Sequence, residues 1–429
     1  MNFGWLKKRK IVANFNGGDI TSDGGILLVK QIDNKIGLTR KISKVRKDLR
    51  MKRKCKHSSL CILRQRIFGI TLGYEDLNDH DILRNDKLIQ VAVGSNKKLA
   101  SSSTLSRFES SINKKSLFEI TNILVENFID SHSKPPKEII LDFDGTEDKV
   151  HGKQDRAMFN GYYRHKCFLP LYVFCKSHLL VAYLRPGNVP DSKHSWAILK
   201  LLVKKIRTHW PNVGIIFRGD GAFCRHKMFD WCDRNNVKYI TGIPANNRLI
   251  KYAQPYINKA DALFNKTKES QRIFGEFKYS AETWRKERKI ILKTKSNIHR
   301  LNNRFIVTNL VGPPKHLYEK VYCARGEMEN RIKEQQLYLF ADRTSSSQWL
   351  TNQFRLLLTA LAYTLLESIR RLALKMTELG SAQCSTIRLK LLKIGAVIII
   401  NTRKVKVLLS DSYPWQALFK LVTKRLSRA

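Results

Sequence analysis

Between residues 138 and 243 the chain alternates between short apolar runs, rich in β-branched and aromatic residues, and longer stretches with helical spacing. Glu138-Ile-Ile-Leu-Asp-Phe-Asp144 reads as a strand, and Leu169 to Cys175 with Leu179 to Leu184 reads as a hairpin pair. Apolar Trp196, Leu199 and Leu202 recur at helical spacing across Ser192 to His209. Val213 to Arg218 is a strand ending at Gly219-Asp220-Gly221, Cys224 to Arg234 is a helix, and Val237 to Ile243 is another strand.

Three strands followed by helix, strand, helix and strand is the order of a ribonuclease H-like α/β sheet. Ser131-His-Ser-Lys-Pro-Pro-Lys137 precedes it as a linker, because paired prolines cannot continue a helix. Residues 1–135 read as a mainly helical region, with one helix capped at Thr21-Ser-Asp23 and a second, amphipathic one over His57 to Gly73. Residues 244–318 read as a basic, β-rich insertion with strands at Arg285–Thr294 and Arg304–Leu310. Helices at Arg325–Phe340 and Trp349–Leu374 return the chain to the core. The expected organisation is thus a helical region over 1–135, an α/β core over 136–243 and 319–380, the insertion over 244–318, and a small basic segment of strands and helix over 381–429.

Charge restricts the partner. The chain carries 79 Lys or Arg against 36 Asp or Glu, a formal net charge of +43. An excess of that size favours a polyanion, nucleic acid before anionic membrane. It is spread along the whole sequence, as expected for several faces meeting a phosphate backbone. The densest run, Arg40 to Lys56, has ten basic residues and one acid, so Arg46, Arg50 and Arg53 are candidate DNA contacts. Ser101 to Glu109 resembles the start of a recognition helix, with Arg107 on an early turn. In the insertion, Trp284 is suited to stack on an unpaired base, with Arg285 and Arg288 on phosphates. The longest apolar run, Leu356 to Leu366, is about half of the ~20 residues that a bilayer span needs. No membrane partner is expected, and the chain is expected to act in the cytoplasm. Eight scattered cysteines without a Cys-x-x-Cys predict neither a zinc knuckle nor a disulfide framework.

Against that basic background the placed acids are conspicuous. Asp142 and Asp144 lie two apart on one strand and share a face. Asp220 ends a second strand between two glycines. In an open α/β sheet ligands bind beyond the carboxyl ends of the strands, where these acids can meet. Helical offsets of three, four and seven put Tyr322, Arg325 and Glu329 on one face. Three convergent carboxylates would suit Mg²⁺, and two such ions can drive phosphoryl transfer. The residues equally admit turn-forming roles for Asp144 and Asp220 and a surface ion pair for Arg325 with Glu329.

Leu141-Asp-Phe-Asp-Gly-Thr146, Phe217-Arg-Gly-Asp-Gly-Ala-Phe223 and Tyr322-Cys-Ala-Arg-Gly-Glu-Met-Glu-Asn-Arg-Ile-Lys-Glu334 resemble the three acidic motifs of DDE-type insertion-sequence transposases, most closely those of DDE group 1. The similarity extends to Phe15–Gly25, Leu72–Asp76, Thr104–Glu109, His151-Gly, Gly161–Tyr163 and Thr386–Gly395, and so covers nearly the whole chain.

The resemblance implies a transposase that binds the terminal inverted repeats of a bacterial insertion sequence and catalyses metal-dependent cleavage and strand transfer. Its triad would be Asp144, Asp220 and Glu329, with Asp142 as the alternative first acid. These residues would ligate two Mg²⁺ ions, for which Mn²⁺ can substitute. Tyr322 and Arg325 would position a phosphate, and Lys333 would stand in for a lysine that the family pattern puts where this chain has Gln336. The implied partners are double-stranded DNA, at element ends and target, and a second copy of the chain on that DNA. A metal-dependent nuclease of the same fold and a DNA-binding relative without catalysis stay open as alternatives.

Overall fold

Asp142 and Asp144 lie on a central strand of an eight-stranded mixed sheet. The computed structural model describes residues 1–46, 48, 50, 55–296 and 302–427. They form two units, one of Thr121–Lys333 with Thr344–Leu356, the other of Met1–Ile120 with Glu334–Arg343 and Leu357–Ala429.

The sheet belongs to the first of these. Its strands are β1 (Glu138–Gly145), β2 (Leu171–Cys175), β3 (His178–Tyr183), β4 (Gly214–Gly219), β5 (Lys238–Ile243), β6 (Gln271–Tyr279), β7 (Arg288–Ser296) and β8 (Asn302–Thr308), in the spatial order β6-β7-β8-β5-β4-β1-β2-β3. β1, β4 and β5 are mutually parallel, and every other pairing is antiparallel. A tight turn makes β2 and β3 an antiparallel pair, whereas β4 and β5 follow the helices Ser195–His209 and His226–Arg234, as parallel strands require.

Side-chain alternation gives the sheet two different faces. Leu141, Phe143, Ile215 and Phe217 point into the larger core, where the Phe143 and Phe217 rings meet edge-on at 5.0 Å. Ile216, Ile240, Ile291 and Ile306 point the other way, into a smaller cluster closed by Leu317 and Tyr318. Asp142, Asp144 and Arg218 share parity with Ile140 and Ile216 and therefore lie on this second face.

Residues 244–318 differ from the expected β-rich insertion. They open with a helix, Asn247–Thr267, whose internal Pro255 obscures its spacing, and whose first turn is capped by the Asn246 carboxamide accepting the Leu249 N–H at 2.9 Å. The strands that follow continue the same sheet, with β8 pairing directly to β5. A three-stranded sheet of Asp148–Lys149, Met158–Asn160 and His165–Phe168 also arises where no strand was read.

In the other unit the helix Ser59–Leu72 is not amphipathic but buried on all sides from Cys61 onward. Its arginines are neutralised internally, Arg64 by Asp33 at 2.9 Å and Arg66 by Glu109 at 2.7 Å. The C-terminal strands Ala396–Ile400 and Val405–Leu409 form a sheet with Asp19–Thr21, so residues from both ends of the sequence complete one unit. Among the described residues no helix is long and apolar enough to cross a membrane.

Candidate active site

The register of β1 on β4 sets Asp142 beside Arg218 and Phe143 beside Gly219. Continued past the end of β4, it brings Asp220 alongside Asp144 at the carboxyl ends of two parallel strands. Asp220 also turns the chain, its carboxylate accepting the Ala222 N–H at 2.9 Å to cap the 3₁₀ turn Gly221–Phe223.

Asp142 has a different environment. Only 5% exposed, it receives two hydrogen bonds from the Arg218 guanidinium, Nη2 donating to Oδ2 at 2.7 Å. Arg218 donates as well to the Val321 carbonyl, which ties β4 to the segment carrying the third acid. That segment is π-helical over Leu317–Tyr322, tightens to 3₁₀ over Cys323–Arg325 and continues as the helix Gly326–Leu339. Burial of Leu317 and Tyr318 against the isoleucines of the sheet seats it on the face bearing the acids.

Arg325 then bridges two of them. Its Nη1 is 3.2 Å from Asp144 Oδ2, and its Nη2 is 3.0 Å from Glu329 Oε1 one turn along the helix. Burial pushes the Asp144 carboxyl up to about 7; Arg325 opposes this, and the charges of Asp220 and Glu329 add to it. Burial also raises Asp142, against the pull of Arg218. Tyr322 stands beside Gly242, where a Cβ would meet its hydroxyl at 2.8 Å and the Gly221 nitrogen at 2.9 Å. A cavity of about 220 Å³ opens there, lined by Gly221, Gly242, Pro244, Arg304, Tyr318 and Tyr322. Lys333 is exposed one turn beyond Glu329, and Gln336 is partly buried.

Three residues at this site were not singled out from sequence. Arg218 carried a usable signal, a cation inside an apolar strand at the same parity as Asp220. Gly242 carried none, because its role depends on Tyr322 arriving from a distant segment. Asp191 lies with one oxygen 3.5 Å from where a Gly145 Cβ would stand, and its carboxyl is raised by burial, with Arg185 opposing and Asp220 adding.

Hard carboxylate oxygens are the donor set that Mg²⁺ prefers. The positive group standing between Asp144 and Glu329 is the Arg325 guanidinium. Among the described residues no three His, Cys, Asp or Glu side chains are grouped closely enough to hold an ion as they stand.

The arginines expected on DNA divide. Arg46 is 6% exposed, lies on the Phe108 ring and donates to the Phe108 carbonyl at 2.9 Å and to Ser59 at 3.3 Å. Arg288 is 3% exposed and is held by Asp233 at 2.6 Å and Asp230 at 2.5 Å. Both are structural, a correction to the reading from charge density. Trp284 is half-buried against Phe229 and Tyr279. Arg50 pairs with Asp48 at 2.7 Å, Arg107 is exposed, and Arg285 is 80% exposed with Asp230 at 3.8 Å. Arg53 lies outside the described residues.

Among solved structures the chain is similar to a piggyBac transposase in a synaptic complex with hairpin DNA, at 12% identity over 95% of this chain and 82% of that one. The TM-score is 0.46. No curated protein matches. The family described as transposase DDE domain group 1 matches residues 3–429, a span that includes every acid of the site. On that whole-length match the chain belongs to the DDE group 1 transposases, enzymes that cleave and join DNA.

Proposed function

We propose that this transposase acts on the terminal inverted repeats of a bacterial insertion sequence, cutting at the element ends and transferring the exposed 3′-hydroxyl to target DNA, as a homodimer and with Asp144, Asp220 and Glu329 as its acids. The observation that carries the reading is the meeting of Asp144 and Asp220 at the ends of parallel β1 and β4, with Glu329 brought to Asp144 through Arg325. The order β3-β2-β1-β4-β5, with β2 antiparallel to its neighbours, supports a ribonuclease H-like core, to which β6–β8 are an extension of the sheet.

Asp144, Asp220 and Glu329 would hold divalent cations, Mg²⁺ by their oxygen chemistry. When bound, such ions activate the attacking oxygen and stabilise the leaving one. The protein's own contribution is position and charge. Arg218 and Asp142 fix β4 to the Leu317–Tyr322 segment, which leads into the helix carrying Glu329. Arg325, paired here with Asp144 and Glu329, would take a phosphate oxygen once cations neutralise those carboxylates. Tyr322 offers a hydroxyl beside the Asp220 turn.

Incubation of the purified protein with labelled repeat ends, a supercoiled plasmid and Mg²⁺ tests this. A transposase of the kind proposed yields plasmid-joined label. Cut ends without joined product would favour a nuclease, and neither product would leave a DNA-binding protein without catalysis.

A further inference from the structure

The first thirteen residues form an element that the catalytic reading does not use. Asn2–Leu6 and Arg9–Val12 pair as an antiparallel ribbon, closed at its base by Ala13 N–H on the Met1 carbonyl at 3.0 Å and by the Met1 ammonium on the Ala13 carbonyl at 2.9 Å. Every residue of both strands is exposed, including Phe3 at 63% and Trp5 at 67%. A two-stranded hairpin with no buried face is marginally stable in water, so this one needs a partner surface to be worth its ordering.

Its charge indicates the partner. The turn and its flank are Lys7-Lys8-Arg9-Lys10, and no acid occurs before Asp19. Lys7 adopts φ +55°, a left-handed conformation that such turns normally fill with Gly or Asn. A lysine there gives up local stability to place a cation at the tip. The register sets Trp5 opposite Lys10 and Leu6 opposite Arg9, so each face of the ribbon shows an apolar side chain next to a cation. A second copy of the chain would bring the same cations and repel them. A DNA phosphate backbone neutralises them, and a major groove ~12 Å wide admits a two-stranded ribbon.

We infer that the Met1–Ala13 hairpin is a DNA-binding arm, its tip cations on phosphates and Trp5 or Leu6 against sugar or base edges. This deepens the DNA-binding part of the proposed function and rests on it. The test is the salt dependence of affinity for a ~30-base-pair duplex of arbitrary sequence, since each phosphate neutralised adds ~0.9 to the slope of log K against log salt. The full chain is compared with the variant carrying Lys7→Ala, Lys8→Ala, Arg9→Ala and Lys10→Ala, and DNA-induced fluorescence quenching is compared between wild type and Trp5→Phe.

The expected result is a slope shallower by up to ~3.6 in the four-site variant and a smaller quench in Trp5→Phe. An unchanged slope with an unchanged quench overturns the arm while leaving the transposase reading intact. So does an unchanged slope accompanied by loss of self-association in sedimentation, which would make the partner a second copy. Wild-type protein that binds no duplex at all would sink the proposed function together with the arm.

Discussion

Arg218 and Asp142 stand opposite each other in the parallel register of adjacent strands and join there as a buried ion pair, with the Arg218 guanidinium reaching on to the Val321 carbonyl. The pair fixes the geometry of its neighbours two residues along, Asp220 and Asp144. Removing one partner strands the other charge in the core. Arg218→Met or Asp142→Leu alone is therefore expected to cost ~3–5 kcal/mol in denaturant unfolding, and the double variant to recover most of it. A double variant that loses the sum of the two single losses would show that the pair is not coupled.

The Asp144 carboxyl titrates at about 7 in the folded chain, above the ~3.9 of an unfolded aspartate. The folded state then binds the extra proton between these values, so this contribution to stability is fully present below pH ~4 and is lost as pH rises through 7. In metal-free buffer, Asp144→Asn is expected to gain stability relative to wild type across that window, by up to ~4 kcal/mol, and to hold a constant advantage above it. Thermal melts from pH 4 to 8 in EDTA read this directly; a stability difference independent of pH would count against it.

Added Mg²⁺ bears on the same carboxylates. At pH 8 millimolar Mg²⁺ is expected to raise the melting temperature of wild type, by mass action on the folded state, and to have a smaller effect on Asp144→Asn and Glu329→Gln. Identical shifts in all three proteins would place the ion elsewhere.

Gly242→Ala drives a methyl group against the Tyr322 hydroxyl and the Gly221 backbone. Because backbone yields less than a side chain end, we expect a loss of ~1–3 kcal/mol in stability and a larger proportional loss of DNA cleavage than of DNA binding. Retained cleavage with Tyr322→Phe and Gly242→Ala alike would remove Tyr322 from the site.

The sheet was legible in sequence where its patterning is local. β1, the β2-β3 hairpin, β4 and β5 each announce themselves by apolar runs ending at glycine or charge, and Asp220 is visible because an acid between two glycines ends such a run. What depends on register between distant segments was not legible. Nothing near Arg218 in the chain says that Asp142 lies beside it, or that Val321 caps the pair. Charge density misled at Arg46 and Arg288, because it reports the sign of a side chain and not its burial; Arg288, on β7, is neutralised by Asp230 and Asp233 of the helix His226–Arg234. The extension of the sheet by β6–β8 escaped for a related reason, since Pro255 masks the helix that leads into it.

The assignment of Asp144, Asp220 and Glu329 is tested most directly by the strand-transfer assay on Asp220→Asn and Glu329→Gln, read beside duplex affinity for the same proteins. The expected result is loss of both cleaved ends and joined product by at least ~10²-fold, with affinity for the duplex within a few-fold of wild type. Joined product at the wild-type level from either variant, with DNA binding intact, would contradict the triad.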